Sequence, residues 1–335
     1  TSTLGRVFVG QNAENMFDVA WVDVGPVGGD LTVPPGEIMK LKVDWDVADI
    51  SPLSQLEPSD MQALDLARAA LNSKSLAPVS RLTGLRYLEL DGKGIDDEAL
   101  KALRPLTCLE VLEVGHSAIT DRGLDSLLGM KKLRCLALRN IRLTEAFLVK
   151  LGRLPALSAL DLSWCRFDEQ TLGGLKALPR LRDLGLSHTD ITDRALVHLK
   201  ALRGLAGLRL GATRIRGAGL AYLPRRSLRR LQLTGCPVDD DGLRNLSGLS
   251  RLEGLFLDGT HITDRSLDTL TRLPALRSLN LAHTNLSDAG VLRLTSLKQL
   301  RQLNLPDQIS QPVIARLKQS LPACRVEQLP EWPFD

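Results

Sequence analysis

Aromatic side chains are nearly missing from this 335-residue sequence: six Phe, four Trp and two Tyr make up 4% of it. An apolar content of 44% with so few rings suits a core assembled from one repeated side-chain shape, not a mixed globular core. Cysteine is sparse too. The five residues Cys108, Cys135, Cys165, Cys236 and Cys324 are odd in number, scattered, and form no C-x-x-C pair. Such usage points to free thiols in a reducing compartment and so to a cytoplasmic location. There is no run of 18 apolar residues and no signal-peptide pattern, so no membrane insertion is expected. A start at Thr1 rather than Met leaves room for a removed leader. Neither sign of charge dominates: 43 Lys and Arg face 39 Asp and Glu, and a net +4 gives no general affinity for nucleic acid.

What the chain has is leucine at a fixed period. The stretch from Leu181 to Leu202, LRDLGLSHTDITDRALVHLKAL, is rewritten along most of the sequence. Its first apolar position recurs at Met61, Leu85, Leu109, Leu133, Leu157, Leu181, Leu205, Leu228, Leu252, Leu276 and Leu300. Every step is 24 residues except the 23 between Leu205 and Leu228. A period of 20 to 29 residues with L-x-x-L-x-L is the signature of leucine-rich repeats.

Each copy has two halves. The last two leucines of L-x-x-L-x-L are two apart, so both point to one side of a strand and the intervening residues to the other. Then comes Thr/Ser-Asp, as in Thr120-Asp121, Thr192-Asp193, Thr263-Asp264 and Ser287-Asp288. The hydroxyl suits the orphan N–H groups of a helix start, and Asp suits the dipole of its first turn. Leucines at i, i+3 and i+6, as in Leu196, Leu199 and Leu202, predict an inward-facing helix. Between the halves runs a column of small donors: Ser117, Cys165, Thr189, Thr213, Cys236, Thr260 and Thr284. They are placed to bond carbonyls at the solenoid corner, and Lys93 and Ile141 interrupt them.

These residues carry a resemblance. The pattern L-x-x-L-x-L-x-x-T-x-I-T-D-x-x-L-x-x-L, best kept in DGTHITDRSLDTLTRLPALRSLNL and GAGLAYL, resembles the bacterial leucine-rich repeat proteins. It is similar to the GALA effectors of plant pathogens and to the cysteine-containing repeats of F-box proteins, and it covers residues 61–305. The resemblance implies protein–protein recognition on the concave face.

The expected architecture is an α/β solenoid, right-handed and curved, with a parallel sheet on the concave face and helices on the convex face. Residues 1–36 form an N-terminal β-type cap, closed by the turn at Pro34-Pro35-Gly36. Residues 37–60 are a degenerate first repeat, with Ile38, Leu41 and Val43 in the strand frame. Repeats fill 61–310, and 311–335 form a C-terminal cap in which Glu331-Trp332-Pro333-Phe334 covers the end of the core.

No catalytic constellation is legible, and no cofactor or metal is called for. His116 and His188 share a repeat position three strands apart, roughly 14 Å at the usual strand spacing, too far to share a metal. His261 and His283 lack a metal-ligand frame. Asp239-Asp240-Asp241 occupies a helix-start slot where acids are expected. Cys135, between strand leucines, is placed on the open face with no base beside it. No phosphate-cradling glycine motif follows a strand.

The expected activity is therefore binding of another protein by a monomeric, non-enzymatic chain, on the outward strand positions. Candidate contacts are Tyr87, Glu89, Asp91, Glu113, Arg139, Asp161, Trp164, Asp183, Arg209, Arg230, Gln232, Phe256, Asp258 and Asn280. Their N-terminal third is acidic. A basic cluster of Arg203, Arg209, Arg214, Arg216, Arg225, Arg226, Arg229 and Arg230 coincides with the 23-residue step. Phe256 and Trp164 are the aromatic hot-spot candidates. The rival readings are a structural or envelope-associated spacer, or the substrate-recognition part of a larger effector or ubiquitin-ligase-like protein.

Overall fold

The computed structural model describes residues 5–11, 22–26, 37–44, 47, 49–67 and 69–328. The Pro34-Pro35-Gly36 turn and the Glu331–Phe334 cover lie outside the described residues. The chain divides into two compact units, Thr1–Phe167 and Asp168–Asp335.

In the first unit, β1 (Gly5–Gln11) lies between β2 (Val22–Pro26) and β3 (Glu37–Val43), antiparallel to both. From β3 the sheet continues in parallel through β4 (Ala63–Leu66), β5 (Tyr87–Asp91), β6 (Val111–Gly115), β7 (Cys135–Arg139) and β8 (Ala159–Asp161). The second unit runs in parallel through β9 (Asp183–Gly185), β10 (Gly207–Arg209), β11 (Arg230–Gln232), β12 (Gly254–Phe256), β13 (Ser278–Asn280), β14 (Gln302–Leu305) and β15 (Arg325–Gln328). The period sets the register. Leu64, Leu88, Leu112, Leu136 and Leu160 stand in one row, and Leu184, Leu208, Leu231, Leu255, Leu279 and Leu303 in another. None of them is more than 1% exposed. Each contributes about 1.5–3 kcal/mol through burial.

The return half of each repeat is shorter and tighter than an amphipathic α-helix. Gly123–Gly129, Glu169–Ala177, Asp193–Ala201 and Ala218–Tyr222 are 3-10 helices. The α-helical segments α1 (Ala77–Arg81), α2 (Asp97–Ala102), α3 (Glu145–Leu151), α4 (Asp240–Leu243), α5 (Leu267–Leu270) and α6 (Asp288–Val291) span about one to two turns each. The longer α7 (Gln311–Ser320) precedes β15. The cause lies in the leucine spacing: Leu196, Leu199 and Leu202 recur every three residues, the period of a 3-10 helix, so that geometry keeps all three inside.

The Thr/Ser-Asp pair does more than start these helices. Thr144 and Ser287 cap as expected, accepting from the N–H of Phe147 at 3.2 Å and of Gly290 at 3.1 Å. The carboxylate that follows stands in the first turn, as the helix-dipole reading expects, and also reaches the next repeat. Asp97 accepts from the N–H and hydroxyl of Thr120 at 2.7 and 2.6 Å, and Asp121 from the Thr144 hydroxyl at 2.6 Å. In the second unit, Asp240 takes the N–H and hydroxyl of Thr263 at 2.8 and 2.7 Å, together with the Ser266 hydroxyl. Asp264 holds Ser287 and Asp288 holds Ser310 in the same way. Where Arg216-Gly217 replaces Thr-Asp, Asp193 collects three backbone N–H groups, from Arg216, Gly217 and Gly219.

The donor column works by two routes, and Ser117, expected in it, follows neither: its buried Oγ has no hydrogen-bond partner. Thr189, Thr213, Thr260 and Thr284 donate to the carbonyl three residues back, at 2.7, 2.7, 2.5 and 2.6 Å. Cys165 and Cys236 reach back one repeat, to Leu138 and Leu210 at 2.8 and 3.0 Å. Ile141 has no donor for Leu138, and Cys165 fills that place.

Beside the column the chain turns through the left-handed region at one position per repeat. Gly92, His116, Asn140 and Trp164 do so in the first unit; His188, Ala212, Gly235, Gly259 and His283 in the second. His116 and His188 therefore share a place because of the turn. A left-handed L-residue costs roughly 1–2 kcal/mol. Ala212→Gly should raise stability by about 1 kcal/mol, read as a higher denaturant midpoint at unchanged m-value.

Asp264→Ala should cost about 1–3 kcal/mol in the same measurement, because it strips an acceptor from the Ser287 N–H and hydroxyl. Burial alone would raise the Asp240 carboxyl, but the hydrogen bonds from Ser266 and Thr263 outweigh it and hold it below the ordinary value; bonds from Ser310 do the same for Asp288. Their contribution is full above the unfolded carboxylate pKa of about 4 and drains away as pH falls through the lower folded values. Acid titration of the Asp240→Asn variant should show a shallower loss there.

Candidate functional site

The sheet face away from the leucine rows differs between the two units. In the first, two outward columns are in register. One is Lys40, Ala63, Tyr87, Val111, Cys135 and Ala159; the other is Lys42, Asp65, Glu89, Glu113, Ala137 and Asp161. Ala63, Tyr87, Val111, Cys135 and Ala159 form a buried apolar cluster although they point away from the leucine core. Asp65, Glu113 and Asp161 are buried as well. Tyr87 is thus no exposed anchor, and Cys135 no accessible thiol.

Charge pairing makes this burial tolerable. Lys40 Nζ lies 3.2 Å from Asp65, 3.5 Å from Glu89 and 4.6 Å from the centre of the Tyr87 ring. Tyr87 Oη is 2.8 Å from Glu89 and 3.0 Å from Glu113, and Arg139 meets Glu113 at 2.9 Å. A phenol has one proton to give, so only one of the two carboxylates receives it. Burial, and then the Glu89 charge, push the Glu113 carboxyl above its ordinary value against the pull of Arg139, Tyr87 and Lys40. Burial, followed by the charges of Glu113 and Glu89, keeps Tyr87 a neutral phenol. Asp91 sits at the end of β5, 3.0 Å from His116 Nδ1. Trp164 is 54% exposed in the left-handed turn after β8.

In the second unit the outward columns are Asp183, Gly207, Arg230, Gly254, Ser278 and Gln302, and Gly185, Arg209, Gln232, Phe256, Asn280 and Asn304. Phe256, Gln232, Arg209 and Asn280 are half-buried, and Arg230 and Gln302 exposed. The glycines clear space for their neighbours. A Cβ on Gly207 would fall 2.0 Å from the Asp183 carboxylate, and one on Gly254 would touch the Phe256 ring at 3.5 Å. Asp258 is buried just past β12, accepting from Thr234 at 2.9 Å.

Asn304 is buried with its Oδ1 unpaired, and the sequence explains why. At the equivalent positions Asp65, Asp161 and Asn280 accept from the N–H two residues on, at 3.1, 3.0 and 3.1 Å. Two residues after Asn304 stands Pro306, which has no N–H.

The eight-arginine cluster is not one patch. Arg209 and Arg230 are on the sheet face, while Arg203, Arg225, Arg226 and Arg229 lie in turns leading into strands. Arg214 and Arg216 lie beyond the strand ends, and Arg214 pairs with Asp190 at 2.7 Å. Among the described residues no group of three or more His, Cys, Asp or Glu is placed to hold a metal ion. Burial pushes the Cys165 thiol up to about 12, so it is no nucleophile. Two features escaped the sequence reading. The Lys40 clasp was visible only as a lysine between Met39 and Leu41, and the inter-repeat carboxylates as Thr/Ser-Asp pairs already explained by helix capping.

A family profile described as a leucine-rich repeat region matches residues 46–323. The chain belongs to the leucine-rich repeat family. Members of this family serve generally in protein–protein interaction. No curated protein matches the chain. Among solved structures it is similar to internalin InlF of Listeria monocytogenes, with 21% identity, a TM-score of 0.57, and 88% of this chain and 87% of that chain covered. It is also similar to the mouse RP105/MD-1 complex, with 23% identity, a TM-score of 0.56, and 80% and 47% covered. A TLR13–ssRNA13 complex gives 19% identity, a TM-score of 0.53, and 88% and 47% covered. The match spans about half of each of these last two chains. At such identities the likeness is one of fold, the leucine-rich repeat solenoid.

The raised Glu113 carboxyl gives a signed expectation. A folded value above the unfolded one means stability is full at acid pH and is lost as pH rises through the folded value. Thermal melts from pH 4 to 8 should show that decline in the wild type and a flatter profile in Glu113→Gln.

Proposed function

We propose that this chain is a non-enzymatic protein-recognition module whose partner docks on the outward sheet face of the second unit. The observation that carries the reading is the contrast between the two faces. In the first unit, outward side chains are buried among themselves. In the second, a half-buried phenylalanine stands between Gln232 and Asn280, with exposed Arg230 nearby, above glycines that add no side chain.

Aromatic and arginine anchors set among smaller polar residues are the composition of interface hot spots. The fold supports the reading, since leucine-rich repeat proteins generally act by binding proteins. Of the sequence candidates, Arg209, Arg230, Gln232, Phe256 and Asn280 belong to this surface, with Asp183 at its edge. Tyr87, Glu89, Glu113, Arg139 and Asp161 hold the first unit together. With five free cysteines, a reducing compartment suits the chain.

Capture of partners from a lysate of the source organism at two salt concentrations tests the proposal. The Arg209→Ala/Arg230→Ala variant should lose about 2–4 kcal/mol of binding and flatten its salt dependence. An unchanged affinity would remove this face from consideration.

A further inference from the structure

The second unit carries a charge asymmetry that the sheet-face reading does not use. Each repeat passes from its helix into its next strand through a short turn, at residues 178–182, 202–206, 223–229, 249–253, 273–277 and 297–301. These six turns hold nine arginines, one lysine and a single carboxylate, Glu253. All ten cations are exposed: Arg180, Arg182, Arg203, Arg225, Arg226, Arg229, Arg251, Arg277, Lys298 and Arg301. The in-register strands β9 to β14 line the turns up in one row, with steps of about 4.8 Å and a length of roughly 24 Å.

Solubility alone does not ask for this. Like charges on adjacent strands repel, and Arg277 stands one strand from Arg301. The first unit shows the neutral solution at the same repeat position, where Arg86 meets Glu110 of the next repeat at 2.8 Å. In the second unit Arg229 is so paired, with Glu253. Among the described residues, Arg203, Arg226, Arg251 and Arg277 form no ion pair.

We propose that this row is a second docking surface, for an acidic segment of a polypeptide lying along the edge in an extended conformation. Four features select that partner over other anions. Arginine outnumbers lysine nine to one, and its fork matches carboxylates two bonds at a time. The turns carry no aromatic residue, so there is no platform for stacking the bases of a single strand. Their leucines are buried, so there is no apolar anchor for a lipid surface. The backbone of a nucleic-acid duplex winds around an axis with a turn of about 34 Å and leaves a straight row quickly. An extended peptide rises about 3.4 Å per residue and follows it for about seven residues.

The test is fluorescence anisotropy of a labelled ten-residue polyglutamate peptide with the full chain, across a salt series. Binding at low salt should weaken steadily with ionic strength. It should fall at least ten-fold in Arg203→Glu/Arg226→Glu/Arg251→Glu and stay unchanged in Arg209→Ala/Phe256→Ala. The second variant separates this proposal from the sheet-face reading, which can fail independently. If the triple variant does not melt cooperatively, Arg203→Gln/Arg251→Gln replaces it, with at least a three-fold loss expected. Peptide that does not bind at low salt, or binds the edge variant as well as the wild type, overturns the proposal. So does tighter binding to duplex DNA or to phosphatidylserine vesicles than to the peptide.

Discussion

A carboxylate on one repeat that accepts both the N–H and the hydroxyl of the next is the contact on which the other features of each unit depend. Leucine burial supplies most of the stabilising free energy, but it is non-directional and tolerates sliding. The bonds from Asp97 to Thr120, from Asp240 to Thr263 and from Asp264 to Ser287 tolerate no slip. They hold successive repeats in one register at the point where the backbone leaves the sheet. The Thr and Cys donors then satisfy the carbonyls of the corner, and the left-handed residue completes the turn. With that geometry repeated, the outward residues of neighbouring strands must stand side by side.

Side-by-side placement has opposite outcomes in the two units. In the first, Lys40, Asp65, Tyr87, Glu89, Glu113 and Arg139 fall within reach of one another and form a closed polar network above a buried strip. Such a network is stable only while every member is paired, which ties it to a protonation state. In the second, glycine at 185, 207 and 254 removes the side chains that would close the face. Arg209, Arg230, Gln232 and Phe256 consequently present their polar and aromatic groups outward. The same repeat thus builds a buried outward surface in the first unit and a half-exposed one in the second.

Most of the fold was legible because period and residue type are enough for it. The leucine spacing set both strand register and the tight return, although i, i+3, i+6 is a three-residue period and so favours 3-10 geometry over the expected α-helix. The donor column was readable from Thr189, Thr213, Thr260 and Thr284. The partner of each Asp was not, since a carboxylate after Thr is equally consistent with a helix dipole until the neighbouring repeat is placed. The outward residues were legible by position and illegible by exposure. Tyr87 and Phe256 both point outward but from different columns, and nothing in the sequence shows that one is buried and the other half-exposed. The orphaned Asn304 Oδ1 follows from Pro306, once its relatives at 65, 161 and 280 are compared.

The most direct test of the proposed docking face is which residues a captured partner covers. Hydroxyl-radical footprinting of the chain, alone and with captured partner, reads this at single residues. The account predicts that Phe256 is modified in the free chain and protected in the complex, while Tyr87 stays unmodified in both. Equal modification of Phe256 in both states, or a Tyr87 that is readily modified in the free chain, would contradict it.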